Sequence, residues 1–341
     1  MNIKFYSVSP VVKGLIAIAS LALSSQPLFA ATPRGFVDRG GESADMAPTG
    51  KGWGELRGTG SKEIANFPGN ASSGHARPKP GGGSNNGISY RGGPVMVNAN
   101  GVNVYYIWYG NWSGDSTAQT ILSDLAASIG GSPYFNINTG YYDANNKYVV
   151  NKVTWVGTNM QATRNPSGGS DNALSDSDIQ KVVTQQFTQN GGPLTPDPNG
   201  VYFVLTARDV TATSGFCSKY CGWHTYTTVG TTKVKYSFVG NPVSQCPSSC
   251  SAQSTSPNGD PGADAMASVI AHELEEAVTD PELNAWYDTR GYENADKCAW
   301  NFGTTKVAPN GSKYNMTLGS RQYLIQQNWV NAGGGYCSQA Y

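Results

Sequence analysis

The pentapeptide His272-Glu273-Leu274-Glu275-Glu276 packs four ionisable or coordinating side chains into a chain that has only three histidines. In a helix, His272 and Glu276 stand about 40° apart, one turn along a single stripe. An imidazole and a carboxylate so spaced can close on one divalent ion, as two histidines do in the His-Glu-x-x-His pattern of zincins. Glu273 points about 100° away, where a zincin carries the carboxylate that takes a proton from metal-bound water. The expected chemistry is metal-assisted hydrolysis of a peptide or amide bond. His272 and Glu276 would ligate the metal, zinc above other divalent ions, and Glu273 would be the general base. Glutamate in place of the second histidine weakens zinc specificity. A His/Glu pair one turn apart is also an ordinary helix-surface pair worth a few tenths of a kcal/mol.

A third ligand has to come from elsewhere. Glu293-Asn294-Ala295-Asp296-Lys297-Cys298 offers two carboxylates ahead of a cysteine that would pin the loop if disulfide-bonded. Asp296 is the expected ligand, with Glu293 and His224 as further candidates. Asp280 would extend the stripe if the helix lasts that long.

These side chains need a helix, and residues 264–279 supply one. Met266, Ile270, Leu274 and Ala277 share a stripe, Pro261 precedes it, and Pro281 ends it because the residue before proline is pushed out of helical geometry. Upstream, Ile121, Leu122, Leu125, Ala126 and Ile129 recur at helical spacing after Ser116 as cap. Ser175-Asp176-Ser177-Asp178 opens a helix with Ile179, Val182, Val183 and Phe187 inward. Val95, Val97, Val102, Val104 and Tyr106 alternate around a turn at 98–101 and predict a hairpin. Strands are expected at 148–156 and 236–239, and the continuous apolar run 201–205 fits a strand buried on both faces. The order predicts an α/β fold, a mixed sheet with packed helices, zincin-like and disulfide-stabilised.

Composition narrows the partners. With 23 Lys+Arg against 23 Asp+Glu in 341 residues, the chain lacks the basic footprint of nucleic-acid or anionic-membrane binding. Lys4 and Lys13, the apolar run 14–23 and Ala30-Ala31 read as a signal peptide over 1–30. About ten apolar residues are too few for a span that needs roughly twenty. The chain is therefore expected to be secreted, into the periplasm, the cell wall or the medium. Residues 31–90, rich in Gly and Pro, read as a flexible leader or pro-segment, and 91–341 as a single domain.

Six cysteines (Cys217, Cys221, Cys246, Cys250, Cys298, Cys337) suit disulfides in that compartment. Six allow fifteen pairings. Neighbour pairing within 217/221 and 246/250, with Cys298 to Cys337, is the expectation. Zinc held by the two close pairs and His224 is the alternative. Gly215 and Ser214 lack the Gly-x-Ser-x-Gly elbow of a serine hydrolase. Trp108, Tyr109, Trp112, Tyr141 and Tyr142 could form a platform for sugar rings, so a non-catalytic, wall-associated or carbohydrate-binding protein is the competing class.

The segments 105–110 and 200–206, Gly215-Phe216-Cys217 with Cys221-Gly222-Trp223-His224, and Gln245-Cys246-Pro247 with Cys250 resemble the EXORDIUM / phosphate-induced protein 1 family from about Gly92 onward. The resemblance implies a secreted protein of a family associated, in plants, with the apoplast and growth responses. It brings no assigned activity. His272-Glu273 departs from the plant pattern, so the metal chemistry rests on this chain's own residues.

Overall fold

The computed structural model describes residues 48, 49, 51, 87–157, 160–188 and 194–341. The signal peptide and most of the leader lie outside the described residues. Strand β1 (Ser89–Tyr90) pairs antiparallel with β10 (Trp286–Tyr287), so regular structure starts slightly before Gly92.

The β-branched and aromatic run Val102–Tyr109 forms β2, the strand from which the main sheet grows. Its partners are β3 (Val153–Trp155), β4 (Met160–Ala162) and β6 (Gly200–Thr206), all parallel to it. Between β4 and β6, β5 (Ala173–Leu174) makes a separate parallel pair with β7 (Thr211–Ala212). The main sheet ends with β9 (Thr232–Gly240), parallel to β6, and with β8 (Gly222–Val229), antiparallel to β9 at the edge. The order is β3-β2-β6-β9-β8, with β4 also on β2. Every residue of β6 is buried, as a parallel strand covered on both faces requires. The register aligns Tyr106, Phe203, Ser237 and His224 across four strands.

The structure corrects two strand expectations. Residues 95–97 form no hairpin with β2, although Gly101 N–H does donate to Asn98 O at 2.8 Å. Met96 N–H is taken instead by Val278 O. Parallel neighbours brought from far along the chain take both edges of β2, β3 and β4 on one and β6 on the other, which leaves no edge for a hairpin partner. The expected strand at 148–156 shrinks to Val153–Trp155, the stretch with a ladder partner.

Helices cover both faces. On one lies α1 (Ser116–Ile129), burying the expected Ile121, Leu122, Leu125, Ala126 and Ile129. Its cap position is Asp115, one residue ahead of Ser116. Tyr106 Oη reaches from the sheet to Leu122 O of α1 at 3.1 Å. On the other face lies α2 (Asp176–Gln185), started by a reciprocal capping box between Ser175 and Asp178. Phe187, just beyond α2, meets Tyr202 edge-on. Lys51 also reaches this side, with Nζ 2.6 Å from Asp176 and over the rings of Tyr220 and Trp223.

A short α3 (Pro247–Cys250) leads to α4 (Pro261–Thr279). Asp260 caps α4 by accepting from Ala263 N–H at 2.9 Å. The helix ends at Thr279, with Asp280 already out of helical geometry before Pro281. The expected apolar stripe is only part of α4's character. All residues from Gly262 to Thr279 are buried, between the sheet at β8 and β9, α1, and the C-terminal loops.

The disulfides are Cys217–Cys246, Cys221–Cys250 and Cys298–Cys337, with Cα–Cα distances of 5.6, 5.5 and 5.6 Å. Neighbour pairing is thus wrong for the first four cysteines and right for the last two. Residues four apart on one helical turn project side by side rather than at each other. Cys246 and Cys250 therefore both face the 217–221 turn and clamp it twice, just ahead of β8. The same bonds exclude a zinc site made from those thiols. Among the described residues no helix is long and apolar enough to cross a membrane.

Candidate metal centre

The centre lies where α4 meets the edge strand β8 and the loop carrying Glu293 and Asp296. His272, Glu273 and Glu276 come from α4, and His224 from the α4-facing side of β8. Close approach of these two elements depends on Gly222. A Cβ there would sit 2.5 Å from Val269 Cγ1 and 3.1 Å from Glu273 Oε1. The missing side chain lets the strand lie against the helix and brings His224 within reach of Glu276.

Glu276 stands between the two imidazoles. Its Oε1 is 3.1 Å from His272 Nε2 and its Oε2 is 3.6 Å from His224 Nε2. Asp296 Oδ1 is 3.6 Å from His272 Nε2. His272, Glu276 and Asp296 each present a donor atom within 4.8 Å of the other two, and so do His224, Glu273 and Glu276. Glu293 approaches His224 Nε2 with both oxygens, at 3.2 and 3.3 Å. All six residues are at most 2% exposed.

The loop is built to present its carboxylates. Asp296 N–H donates to Glu276 Oε1 at 3.0 Å, and Glu293 N–H to Asp296 Oδ2 at 3.2 Å. Asn294 Nδ2 donates to Glu275 O, and Asn294 O accepts from Trp329 N–H. The Cys298–Cys337 bond closes behind them, which is the pinning expected of that cysteine.

The electrostatics suit a cation. Glu273, Glu276, Glu293 and Asp296 gather four carboxylates in a volume closed to water, and a buried charge is stable only when paired or bound to metal. The buried ammonium next in sequence, Lys297, bonds Asp288 at 2.9 Å. Glu276 Oε2 and Asp296 Oδ1 are buried and accept no hydrogen bond among the described residues. Burial pushes the His224 imidazole down to about 4, against the opposing pull of Glu276, so it is neutral at pH 7. Burial raises Glu275 well above the carboxylate range, and Asn328 Nδ2 holds it at 2.5 Å. Held by Asn328, Glu275 braces the helix rather than joining the ligands. This donor set, two imidazoles with several carboxylates, suits zinc or a similar divalent ion.

The structure thus brings His272, Glu276, Asp296, Glu293 and His224 together and puts Glu273 beside them. Asp280 does not join. Its Oδ1 accepts the N–H groups of Asn284 and Ala285, both at 2.6 Å, and closes the end of α4. Sequence reading named His224 but missed that it sits opposite Glu276. The available signal was its place two residues after Gly222 on an alternating strand.

The proposed aromatic platform is not formed. Trp108, Tyr109, Trp112 and Tyr141 are buried and Tyr142 is half-buried. A groove of about 690 Å³ does open beyond the ends of β2 and β6, lined by Trp112, Gln161, Arg164, Asp171, Asn172 and Asp209. It is mostly polar, and Trp112 is the one of these five aromatics on its wall.

Fold and site together describe a disulfide-braced α/β protein with a buried His/carboxylate centre. The conserved region described as "Phosphate-induced protein 1 conserved region" matches residues 88–339, and the chain belongs to that family. It is 32% identical to "Protein EXORDIUM-like 3" of Arabidopsis thaliana over 291 residues, covering 74% of this chain and 82% of that protein. It is 30% identical to "Protein EXORDIUM-like 5" of the same plant over 279 residues, covering 71% and 75%. No solved structure matches the chain.

Proposed function

We propose that this member of the family is a secreted, metal-dependent hydrolase of zincin-like design that acts on peptide or related amide bonds. The observation that supports it is the convergence of His272 Nε2, Glu276 Oε1 and Asp296 Oδ1 at 3.1 and 3.6 Å in a buried, acidic volume. A bound divalent ion, zinc above others, supplies Lewis-acid activation of water at neutral pH. His272 and Glu276 would hold that ion from successive turns of α4, and Asp296 would close the set from the pinned loop. Glu273, one residue on from His272 and facing β8, would take the proton from the attacking water. Asn294 and Asn328 fix the backbone and the Glu275 side chain around the centre, so the ligands are held before any substrate arrives. Three disulfides and the absence of a membrane-crossing helix among the described residues are compatible with an extracellular setting.

The closure of the centre favours a second reading. Structural metal sites are closed, whereas catalytic ones keep a position open. In this reading the ion braces α4 against β8 in a non-catalytic extracellular or wall-associated protein.

One experiment separates the two. Zinc-loaded protein is assayed on a broad peptide library beside a chelated sample and a zinc-loaded Glu273→Gln variant. Hydrolysis that is lost on chelation, and falls at least about 100-fold in the variant while its metal content is unchanged, supports the enzyme. A metal that raises the melting temperature with no turnover of any peptide supports the brace. A protein that retains no metal overturns both.

A further inference from the structure

We infer that the centre holds two divalent ions, with the Glu276 carboxylate bridging them. This rests on the metal reading above and deepens it. The first observation is that the two imidazoles address different oxygens of one carboxylate, His272 facing Oε1 and His224 facing Oε2. The donor atoms that lie within 4.8 Å of one another form two groups, His272 with Asp296 and His224 with Glu273, and Glu276 is the one residue the groups share. The second is that Glu276 Oε2, fully buried, accepts no hydrogen bond among the described residues and is aimed at that imidazole.

Donor spacing agrees with two sites. Two atoms each 2.0–2.2 Å from one tetrahedral ion stand about 3.3–3.6 Å apart. His272 Nε2 has Glu276 Oε1 at 3.1 Å and Asp296 Oδ1 at 3.6 Å. His224 Nε2 has Glu276 Oε2 at 3.6 Å and Glu293 Oε1 at 3.2 Å. Each imidazole therefore carries its own carboxylate besides the shared one. Charge points the same way. Glu273, Glu276, Glu293 and Asp296 carry four negative charges when ionised, which two divalent ions neutralise and one leaves half unmet. Glu273, whose oxygen lies within 4.8 Å of the His224 and Glu276 donors, stands beside the second ion. In amide hydrolysis such a pair of ions would activate the attacking water and polarise the carbonyl oxygen.

The test is metal stoichiometry on the full chain. Protein loaded with Zn²⁺ and desalted should contain two ions per chain by elemental analysis. The His224→Ala and Asp296→Ala variants should each contain one. Because either variant could fail to fold, wild-type protein is also titrated with Co²⁺, and its d–d absorption should change in two steps ending at two equivalents. One ion per wild-type chain overturns the bridge while leaving the single-site hydrolase standing, and none overturns both. Two ions retained in folded His224→Ala place the second ion elsewhere and also sink the inference.

Discussion

His224 Nε2 lies 3.6 Å from Glu276 Oε2, and that contact joins the edge strand to the buried helix. Because Glu276 also meets His272 and accepts Asp296 N–H, a single carboxylate connects three segments far apart in the chain.

That role gives Glu276→Gln opposite effects with and without metal. Under chelation the substitution removes one of four crowded buried carboxylates, so the variant should be as stable as wild type or more so. With excess zinc it should be less stable, because binding of native protein at about 1,000 times the dissociation constant is worth about 4 kcal/mol. Thermal melts of both proteins in chelator and in zinc check this. Curves that keep the same order in both conditions count against a metal-binding Glu276.

Gly222→Ala tests the approach of β8 to α4. The added methyl meets Val269 and Phe238 O closely, so overpacking should cost about 1–3 kcal/mol and weaken metal retention. Gly140→Ala, where a Cβ meets nothing within 4 Å, should stay within about 0.5 kcal/mol. Denaturant unfolding of the two variants against wild type measures the contrast.

The cystine ladder is checked by non-reducing peptide mapping, which should recover 217–246 and 221–250 linked peptides. The double variant Cys221→Ser/Cys250→Ser should lose about 2–4 kcal/mol and hold metal more weakly, since that bond ends one residue before β8 begins.

Lys235 gives a pH dependence away from the centre. Burial depresses its ammonium to about 8, against the opposing pull of Asp197 and Glu282. Between pH 8 and 10.5 the unfolded chain holds a proton that the folded chain has released, so stability rises with pH. The rise is on the order of 3 kcal/mol at full extent. Above pH 10 the trend reverses, because buried tyrosines such as Tyr109, pushed by burial to about 12, keep protons that the unfolded chain loses. Melts of wild type and Lys235→Met from pH 7.5 to 9.5 should show a slope in the first and little in the second. Equal slopes would assign the effect to other groups.

What the sequence determined is local. The 3.6-residue period at 121–129 and 264–279, the capping box at Ser175 and Asp178, and the apolar run of β6 each reflect forces acting within a dozen residues, so they read directly. The pairing of His272 with Glu276 is local for the same reason, being one helical turn. Tertiary structure decided the rest. The partners of β2 come from 50 to 100 residues away, and the alternation at 95–106 fits a hairpin as well as a parallel strand. Cys217 shows the same limit, because nothing in its own segment says that Cys246 on another will face it. The placement of His224 and Glu293 around Glu276 follows from a glycine that lets two elements touch, and that contact exists only once the chain has folded.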